Sequence, residues 1–357
     1  MTPGASARAD RLDAVLAERE LDSLLVTDLV NVRWLTGFTG SNGACVISRD
    51  RRLFLTDFRY TEQADAQVRS FERVRAGRDL LADVAGRLTG RAGFDDANLS
   101  VRSHAKVADK AAGDVELVAA GGAIEALREV KDAAELERIA AAQELATAAL
   151  KRTLERGLVG RTEREIALDL EQEMRLAGAA GPSFASIVAA GAHGALPHAE
   201  PRDEPVPAGV LVVIDWGAIL DGYCSDCTRT FATGPLAEDA ASGYELVLRA
   251  QLAGLAAVRS GESCREVDAA AREVITASGH GGLFGHSLGH GVGLEVHEGP
   301  TLSVRSESTL SAGNVVSVEP GVYVPGRFGV RIEDLVAVTD ASADVFTTLP
   351  KELITLP

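Results

Sequence analysis

The segment Leu211–Phe231, LVVIDWGAILDGYCSDCTRTF, is the part of the chain that decides the fold. Two apolar runs flank the dipeptide Asp221-Gly222, and Asp-Gly is one of the strongest short-range signals for a hairpin turn. With these two residues at the centre of the turn, Leu220 pairs with Tyr223 and the register of the hairpin follows. The segment is therefore predicted to be an antiparallel β-hairpin.

The predicted register brings two acidic residues onto one face of the hairpin. It pairs Asp215 with Thr228 and Gly217 with Asp226. Because side chains alternate along a strand, Asp215 and Asp226 become diagonal neighbours about 7–8 Å apart at the backbone. Acidic side chains usually face solvent, but Asp215 ends a Val-Val-Ile run that is typical of a buried strand. Two carboxylates in one buried space repel each other unless a cation lies between them, so the hairpin predicts a metal site.

Length and composition limit the class of protein. A chain of 357 residues is too long for a typical single core and predicts two domains. The apolar share of 46% and the mean hydropathy of +0.06 are those of a soluble globular protein. The formal net charge of −16 argues against a nucleic-acid partner, whose phosphates need a basic surface. Residues 1–20 lack the apolar core of a signal peptide, and no apolar run approaches about 18 residues, so a cytoplasmic location without a membrane partner is expected.

The four cysteines are too few for a disulfide framework. Cys224 and Cys227 form a C-x-x-C motif beside Asp226. Residues three apart on a strand point to opposite faces, so these two thiols cannot both bind one ion there. They are expected to be ordinary half-buried thiols.

Residues 1–128 alternate between helical and strand patterns, which predicts a smaller α/β domain. Its glycine-rich segment 31–43, NVRWLTGFTGSNG, is predicted to be a loop that either covers a ligand or only connects two elements. The predicted helices and strands are Ala7–Glu20, Ser23–Thr27, Ala44–Ser48, Leu53–Thr56, Tyr60–Val68, Leu80–Leu88, Ser103–Ala111, Val115–Val118 and Ala123–Val130.

Residues 129–357 form the second predicted domain, which begins near the charged segment 128–132. A long helix is predicted at Ala133–Leu154, and a second helix runs from a cap at Thr162 to about Leu176. Another helix pair covers roughly 238–260 and 264–278. Strands follow each pair, which predicts an α+β domain built from two similar halves.

Histidines and glutamates supply further candidate ligands. Six of the seven histidines lie between residues 193 and 297, three of them in GHSLGHGVGLEVHEG. Glu319 closes an apolar run, and Glu333 is flanked by aliphatic residues; a salt bridge with Arg331 is the structural alternative for Glu333. Two Asp, two Glu and one His suffice for two divalent ions, and this donor set suits Mn²⁺, Co²⁺ or Zn²⁺. Such a pair of ions activates water and polarises a carbonyl, which is hydrolytic chemistry.

The motifs resemble, in sequence order, those of the creatinase/aminopeptidase family of metallopeptidases, which has the pita-bread fold. The matching stretches are D215-x10-D226, HSLGHGVGLEVHE, SVEPG and VRIED. The resemblance covers about residues 133–357, and residues 1–128 resemble, less specifically, the α/β domain that precedes the catalytic one. It implies an α+β pita-bread domain of two similar halves. Within the family the chain is most similar to aminopeptidase P and Xaa-Pro dipeptidase (prolidase).

The resemblance implies a complete set of ligands for two divalent metal ions, with Mn²⁺ expected before Co²⁺ or Zn²⁺. Asp226 and Glu333 would bridge both ions, Asp215 would bind one ion, and His290 and Glu319 would bind the other. Creatinase and the non-catalytic relatives of this fold lack these ligands.

The resemblance also implies catalytic and supporting residues. His198 and His297 would contact the substrate carbonyl and the tetrahedral intermediate, which imidazole donors can stabilise. Glu319 would move a proton. His286 and Arg331 would orient the ligands from behind.

The function predicted from these motifs is that of an aminopeptidase P, which releases the first residue of small peptides with proline in second position. A homodimer or larger homo-oligomer is expected. A second hypothesis is an Xaa-Pro dipeptidase, which must also recognise the free carboxylate after proline; Arg33 and Arg59 are candidate cations for it. Two further hypotheses are a non-catalytic binding module and a metal-independent creatinase-like amidinohydrolase.

Overall fold

The computed structural model describes residues 4–356. The chain divides into two compact units, Met1–Arg128 and Glu129–Pro357. Among the described helices, none combines the length and apolarity needed to cross a membrane.

The first unit is a six-stranded sheet with helices. Its strands lie in the order β4-β3-β2-β1-β5-β6, and every neighbouring pair is parallel except those that include β2. Its elements are α1 (Gly4–Glu18), β1 (Ser23–Val26), α2 (Leu29–Thr36), β2 (Ala44–Ser48), β3 (Arg52–Thr56), α3 (Thr61–Gln67), β4 (Glu72–Arg75), α4 (Leu80–Ala85), β5 (Arg91–Phe94), α5 (Val101–Lys110), β6 (Glu116–Ala119) and α6 (Glu125–Glu129), whose last residue belongs to the second unit.

The prediction of a continuous loop over residues 31–43 is wrong, because α2 extends to Thr36. Asp28 caps this helix by accepting a hydrogen bond from the backbone N–H of Asn31, and Gly37 ends it at φ 78°. Gly37 is thus the left-handed C-terminal residue of a helix. The glycines and polar residues that follow it obscure this short helix in the sequence.

The second unit contains two helix pairs within its described residues. They are α7 (Ala133–Leu154), α8 (Glu163–Leu176), α9 (Glu238–Ala257) and α10 (Cys264–Ala277). Capping boxes begin the first two helices, with Asp132 and Glu135 at α7 and Thr162 and Glu165 at α8. These reciprocal hydrogen bonds satisfy backbone N–H groups that a helix start leaves unpaired. The helices at Ala133–Leu154 and up to Leu176 are confirmed.

The strands of the second unit form short antiparallel sheets. The sheet orders are β11-β10-β7, β12-β9-β8, β14-β13-β15-β18-β19 and β16-β17. The strands are β7 (Gly181–Pro182), β8 (Ile187–Ala190), β9 (Leu211–Trp216), β10 (Ala218–Leu220), β11 (Tyr223–Cys224), β12 (Cys227–Ala232), β13 (Gly289–Gly291), β14 (Glu298–Leu302), β15 (Val315–Val318), β16 (Gly321–Val324), β17 (Phe328–Arg331), β18 (Asp334–Val338) and β19 (Ala343–Val345).

Each helix pair of the second unit packs on its own group of strands. One apolar core joins α7 and α8 to β8, β9 and β12, with Leu150, Ile166 and Ile214 fully buried in it. Another joins α9 and α10 to β15, β16 and β18 through residues such as Val247 and Val316. The second unit therefore consists of two α+β halves, as predicted.

The predicted hairpin register is confirmed. Leu220 pairs with Tyr223, and Asp215 pairs with Thr228. Asp221 and Gly222 both have positive φ, 49° and 83°, which a two-residue type I′ turn requires and which Asp-Gly tolerates well. The register thus puts Asp215 and Asp226 on one face.

Candidate metal centre

Three buried carboxylates meet in the second unit. Asp215 lies near the end of β9, Asp226 directly precedes β12, and Glu333 lies in the break between β17 and β18. One oxygen from each lies within 4.8 Å of the others. The strands of the opening hairpin thus supply two acids, and a chain segment about 100 residues later supplies the third.

The contacts within the protein leave these carboxylates incompletely stabilised, and a bound cation would stabilise them. Oδ1 of Asp215 and Oε1 of Glu333 are buried and have no hydrogen-bond partner among the described residues. Burial, together with repulsion from neighbouring carboxylates, raises the pKa of Asp226 and of Glu333 well above the usual range. An unpaired buried carboxylate oxygen is costly, and a divalent ion would remove that cost. The donor set therefore fits a metal ion.

His290 and Glu319 flank the carboxylates on the other side. Nε2 of His290, on β13, lies 3.6 Å from Oδ2 of Asp226 and 3.3 Å from Oε1 of Glu319. The Nδ1–H of His290 donates to the carbonyl of Gly291, which leaves Nε2 directed at the acids. Burial raises the pKa of Glu319, but contact with His290 outweighs it and holds that pKa at about 2. All five predicted ligands are thus near one another.

The glycines on either side of His290 do not form tight turns. Neither Gly289 nor Gly291 has a positive φ. A Cβ atom would lie 1.9 Å from the carbonyl oxygen of Ser317 at the first position and 2.0 Å from that of Gly299 at the second. These glycines therefore allow neighbouring strands to approach closely around the imidazole.

Arg331 binds Asp215, so the predicted alternative of a salt bridge to Glu333 is wrong. Its Nη2 donates to Oδ2 of Asp215 at 2.6 Å, and its Nε donates to Oγ1 of Thr228 at 2.9 Å. Thr228 Oγ1 in turn donates to Oε2 of Glu333 at 2.8 Å. Arg331 thus orients Asp215 directly and Glu333 through a hydroxyl group.

His286 joins this network through Tyr323, a residue that the sequence did not single out. Nη1 of Arg331 donates to the Tyr323 hydroxyl at 2.8 Å, and that hydroxyl lies 3.0 Å from Nε2 of His286. Since Nδ1 of His286 contacts the carbonyl of Ser287, the hydroxyl donates to Nε2 in the neutral tautomer. Burial lowers the pKa of His286, which agrees with a neutral ring. The place of Tyr323 in the network depends on these contacts, and the one to His286 spans 37 residues, so no local sequence signal reveals it.

His198 and His297 lie at the exposed edge of the cluster. The ring of His297 contacts the ring of His290 edge to face, with centroids 4.4 Å apart. Partial burial, the imidazole of His290 and then that of His198 lower the pKa of His297. Both side chains are exposed, so an N–H of each is available to a ligand.

Glu163 anchors the segment that carries His198, and sequence reasoning missed it. Its carboxylate, 1% exposed, accepts hydrogen bonds from the backbone N–H groups of Ala190 and Arg202 at 2.9 and 3.0 Å. It also accepts from Nδ1 of His193 at 2.8 Å and from the Arg202 side chain. One buried acid thereby closes the ends of the loop 190–202, whose middle is held by Arg331 Nη1 donating to the carbonyl of Pro197.

Glu163→Gln is expected to destabilise the protein by about 1–3 kcal/mol at pH 7, because an amide cannot accept all of these hydrogen bonds. Burial raises the pKa of Glu163, but the hydrogen bonds from Arg202 and Ala190 outweigh it and lower that pKa below 4.5. The carboxylate therefore stabilises the fold fully above pH 4.5, and this contribution is lost as the pH falls through the folded pKa.

Denaturant unfolding at several pH values measures this effect. The difference in the free energy of unfolding between wild type and Glu163→Gln should become smaller below pH 4.5. The matched control is Glu144→Gln on the exposed face of α7, which should change stability by less than about 0.5 kcal/mol. If this difference in unfolding free energy stays constant down to pH 3, the charge of the carboxylate does not contribute to stability.

The C-x-x-C motif is structural, and its thiols are fully buried rather than half-buried. The thiol of Cys227 contacts the carbonyl of Glu333, and that of Cys224 contacts the carbonyl of Leu294. Burial raises the pKa of Cys227 well above the usual range, so this thiol stays protonated.

Known protein families match both units. Residues 137–340 match Metallopeptidase family M24, and residues 8–130 match the Creatinase/Prolidase N-terminal domain. The first of these matches covers more than half of the chain.

Individual relatives agree with these matches over nearly the whole chain. An Xaa-Pro dipeptidase of Pyrococcus furiosus is 34% identical over 97% of this chain and 99% of its own. The structure of an Xaa-Pro dipeptidase from Bacillus anthracis has a TM-score of 0.96 at 39% identity, covering 99% of this chain and 100% of that one. An X-Pro aminopeptidase from Thermotoga maritima has a TM-score of 0.90 at 35% identity, covering 98% and 99%. The chain therefore belongs to metallopeptidase family M24, with the pita-bread catalytic fold, and is a metal-dependent peptidase.

Proposed function

We propose that this enzyme hydrolyses the bond before proline in Xaa-Pro dipeptides and that it binds two divalent ions, Mn²⁺ first among them. Asp215, Asp226, His290, Glu319 and Glu333 would hold the ions. The observation that carries the proposal is the cluster of three buried carboxylates, two of which, Asp215 and Glu333, have an oxygen without a hydrogen-bond partner among the described residues. Asp226 lies between the other two carboxylates and His290, which supports a bridging role for it.

The protein side chains have distinct tasks in this reaction. Bound divalent ions would activate water and polarise the scissile carbonyl. His198 and His297, exposed beside the ligands, donate hydrogen bonds to the carbonyl oxygen as it gains negative charge. Glu319, which contacts both His290 and the hydroxyl of Ser317, carries a proton from the water to the proline nitrogen.

The dipeptidase specificity is supported better by the relatives than the aminopeptidase P activity predicted from the motifs. The Bacillus anthracis and Pyrococcus furiosus proteins are both described as Xaa-Pro dipeptidases. Aminopeptidase P activity is the second candidate, because the Thermotoga maritima relative is described as an X-Pro aminopeptidase at similar identity.

A matched pair of peptides separates the two activities. We expect the Mn²⁺-loaded enzyme to cleave Arg-Pro at least tenfold faster, in kcat/KM, than Arg-Pro-Pro. Equal or faster cleavage of the tripeptide would instead assign aminopeptidase P activity. Cleavage of neither peptide after loading with Mn²⁺ or Co²⁺ would contradict both.

A further inference from the structure

Arg229 on β12 is a buried cation that the reaction described above does not use. Its side chain is 2% exposed and pairs with Asp334, which is completely buried, at 2.8 Å. Asp334 also accepts hydrogen bonds from Gln251 at 2.9 Å and from Lys351 at 2.5 Å. Asp334 is therefore neutralised by two cations, Arg229 and Lys351. Without Arg229 it would still be paired with Lys351.

The guanidinium also binds four backbone carbonyls. Its Nη1 donates to the carbonyls of Glu333 and Thr228, the second at 3.0 Å. Its Nε donates to the carbonyl of Pro350 at 3.0 Å, and its Nη2 to that of Leu349 at 2.9 Å. A planar guanidinium can hold several acceptors in a fixed arrangement, which an ammonium group cannot reproduce.

These contacts matter because Glu333 lies outside any strand. It falls in the break between β17 and β18, where no sheet ladder holds its carbonyl. Its N–H donates to the carbonyl of Thr228 at 3.1 Å, and its carbonyl accepts from Arg229. The two bonds fix the peptide groups on both sides of the Glu333 α-carbon, and hence the direction of the carboxylate.

We propose that Arg229 is a positioning residue for metal binding: it holds the main chain of Glu333 so that the carboxylate faces Asp215 and Asp226. This proposal rests on the proposed role of Glu333 as a ligand. Groups that orient metal ligands contribute about 10–100-fold to metal affinity. The alternative role for Arg229 is neutralisation of the buried Asp334. A positioning role predicts weaker metal binding in every variant that loses the guanidinium. A neutralising role predicts wild-type metal binding when the positive charge is kept or when both charges are removed.

Two variants separate these roles. Arg229→Lys keeps the positive charge but loses the planar set of N–H donors that the guanidinium provides. The double variant Arg229→Met with Asp334→Asn removes both charges, so it leaves no unpaired buried acid, and replacing a buried ion pair in this way is often close to neutral for stability. The matched control is Arg152→Met with Glu173→Gln, which removes an ion pair between α7 and α8. Among the described residues, the hydrogen-bond and ion-pair partners of this pair, which include Arg156, are not candidate ligands.

The test is titration of the chelator-stripped, full-length protein with Co²⁺ alone, followed by the visible absorption of the bound ion. We expect both Arg229 variants to unfold cooperatively and to bind Co²⁺ about 10–100-fold more weakly than wild type. The control should bind within twofold of wild type.

Three results would overturn the proposal. One is wild-type Co²⁺ affinity in either Arg229 variant, and another is weakening of the same size in the control. The third is loss of cooperative unfolding in both Arg229 variants, because Arg229 would then serve the whole fold. A wild-type protein that binds Co²⁺ but cleaves no Xaa-Pro peptide would contradict the proposed function and leave the affinity comparison intact.

Discussion

Asp226→Asn is expected to remove both divalent ions and to reduce Xaa-Pro hydrolysis to the uncatalysed background. Asp226 is the acid that links the two sides of the cluster, since it lies near Asp215 and Glu333 on one side and 3.6 Å from His290 on the other. Asparagine has the same shape but offers one neutral oxygen, which is a much weaker ligand for a divalent ion.

The same substitution should leave the metal-free protein at least as stable as wild type. Three carboxylates within 4.8 Å repel one another, and the asparagine removes one of the charges. Metal content, peptide hydrolysis and the thermal unfolding of stripped protein would be measured together. Asp221→Asn, in the turn of the same hairpin, is the control, because asparagine also tolerates positive φ there. Two bound ions in Asp226→Asn would disprove its bridging role.

Glu319→Gln is expected to lower kcat by about 10²–10⁴-fold even at saturating Mn²⁺, because glutamine cannot transfer a proton. Glu319 is placed for two tasks. Its carboxylate contacts Nε2 of His290 and accepts from the hydroxyl of Ser317. We expect its loss to weaken one ion as well, so the metal concentration must be varied in the assay.

The rate at saturating metal decides between these two tasks. If Glu319 only holds an ion, enough Mn²⁺ will restore the wild-type kcat in Glu319→Gln. If it also carries the proton, kcat stays low when both ions are bound. Glu307→Gln, at an exposed position of the same unit, should match wild type in both metal binding and rate.

Local signals were sufficient for the hairpin and the long helices. The Asp221-Gly222 turn sets the register that brings Asp215 and Asp226 together, and a capping box marks the start of α7. Such features are encoded within a few residues of the element they define. The strands Glu72–Arg75 and Arg91–Phe94 were missed because three of the four residues in the first are charged, and the second, Arg-Ala-Gly-Phe, has a charged residue and a glycine in a run of only four.

Contacts between distant segments could not be predicted from the sequence. Arg331 reaches Asp215 across 116 residues, and Arg229 reaches the carbonyl of Glu333 across 104. Glu163 was missed for a similar reason, since it reads as a first-turn acid of α8 while its side chain binds residues 27 to 39 positions away.

The acidic cluster is expected to confer metal-dependent hydrolysis before proline. The rate of Gly-Pro hydrolysis by stripped, full-length protein as Mn²⁺ is added back, with bound ions counted at each step, tests this expectation. We expect no hydrolysis without metal and a rate that reaches its maximum at two ions per chain, with Gly-Ala cleaved far more slowly. Full activity in the stripped protein, or none with two ions bound, would contradict it.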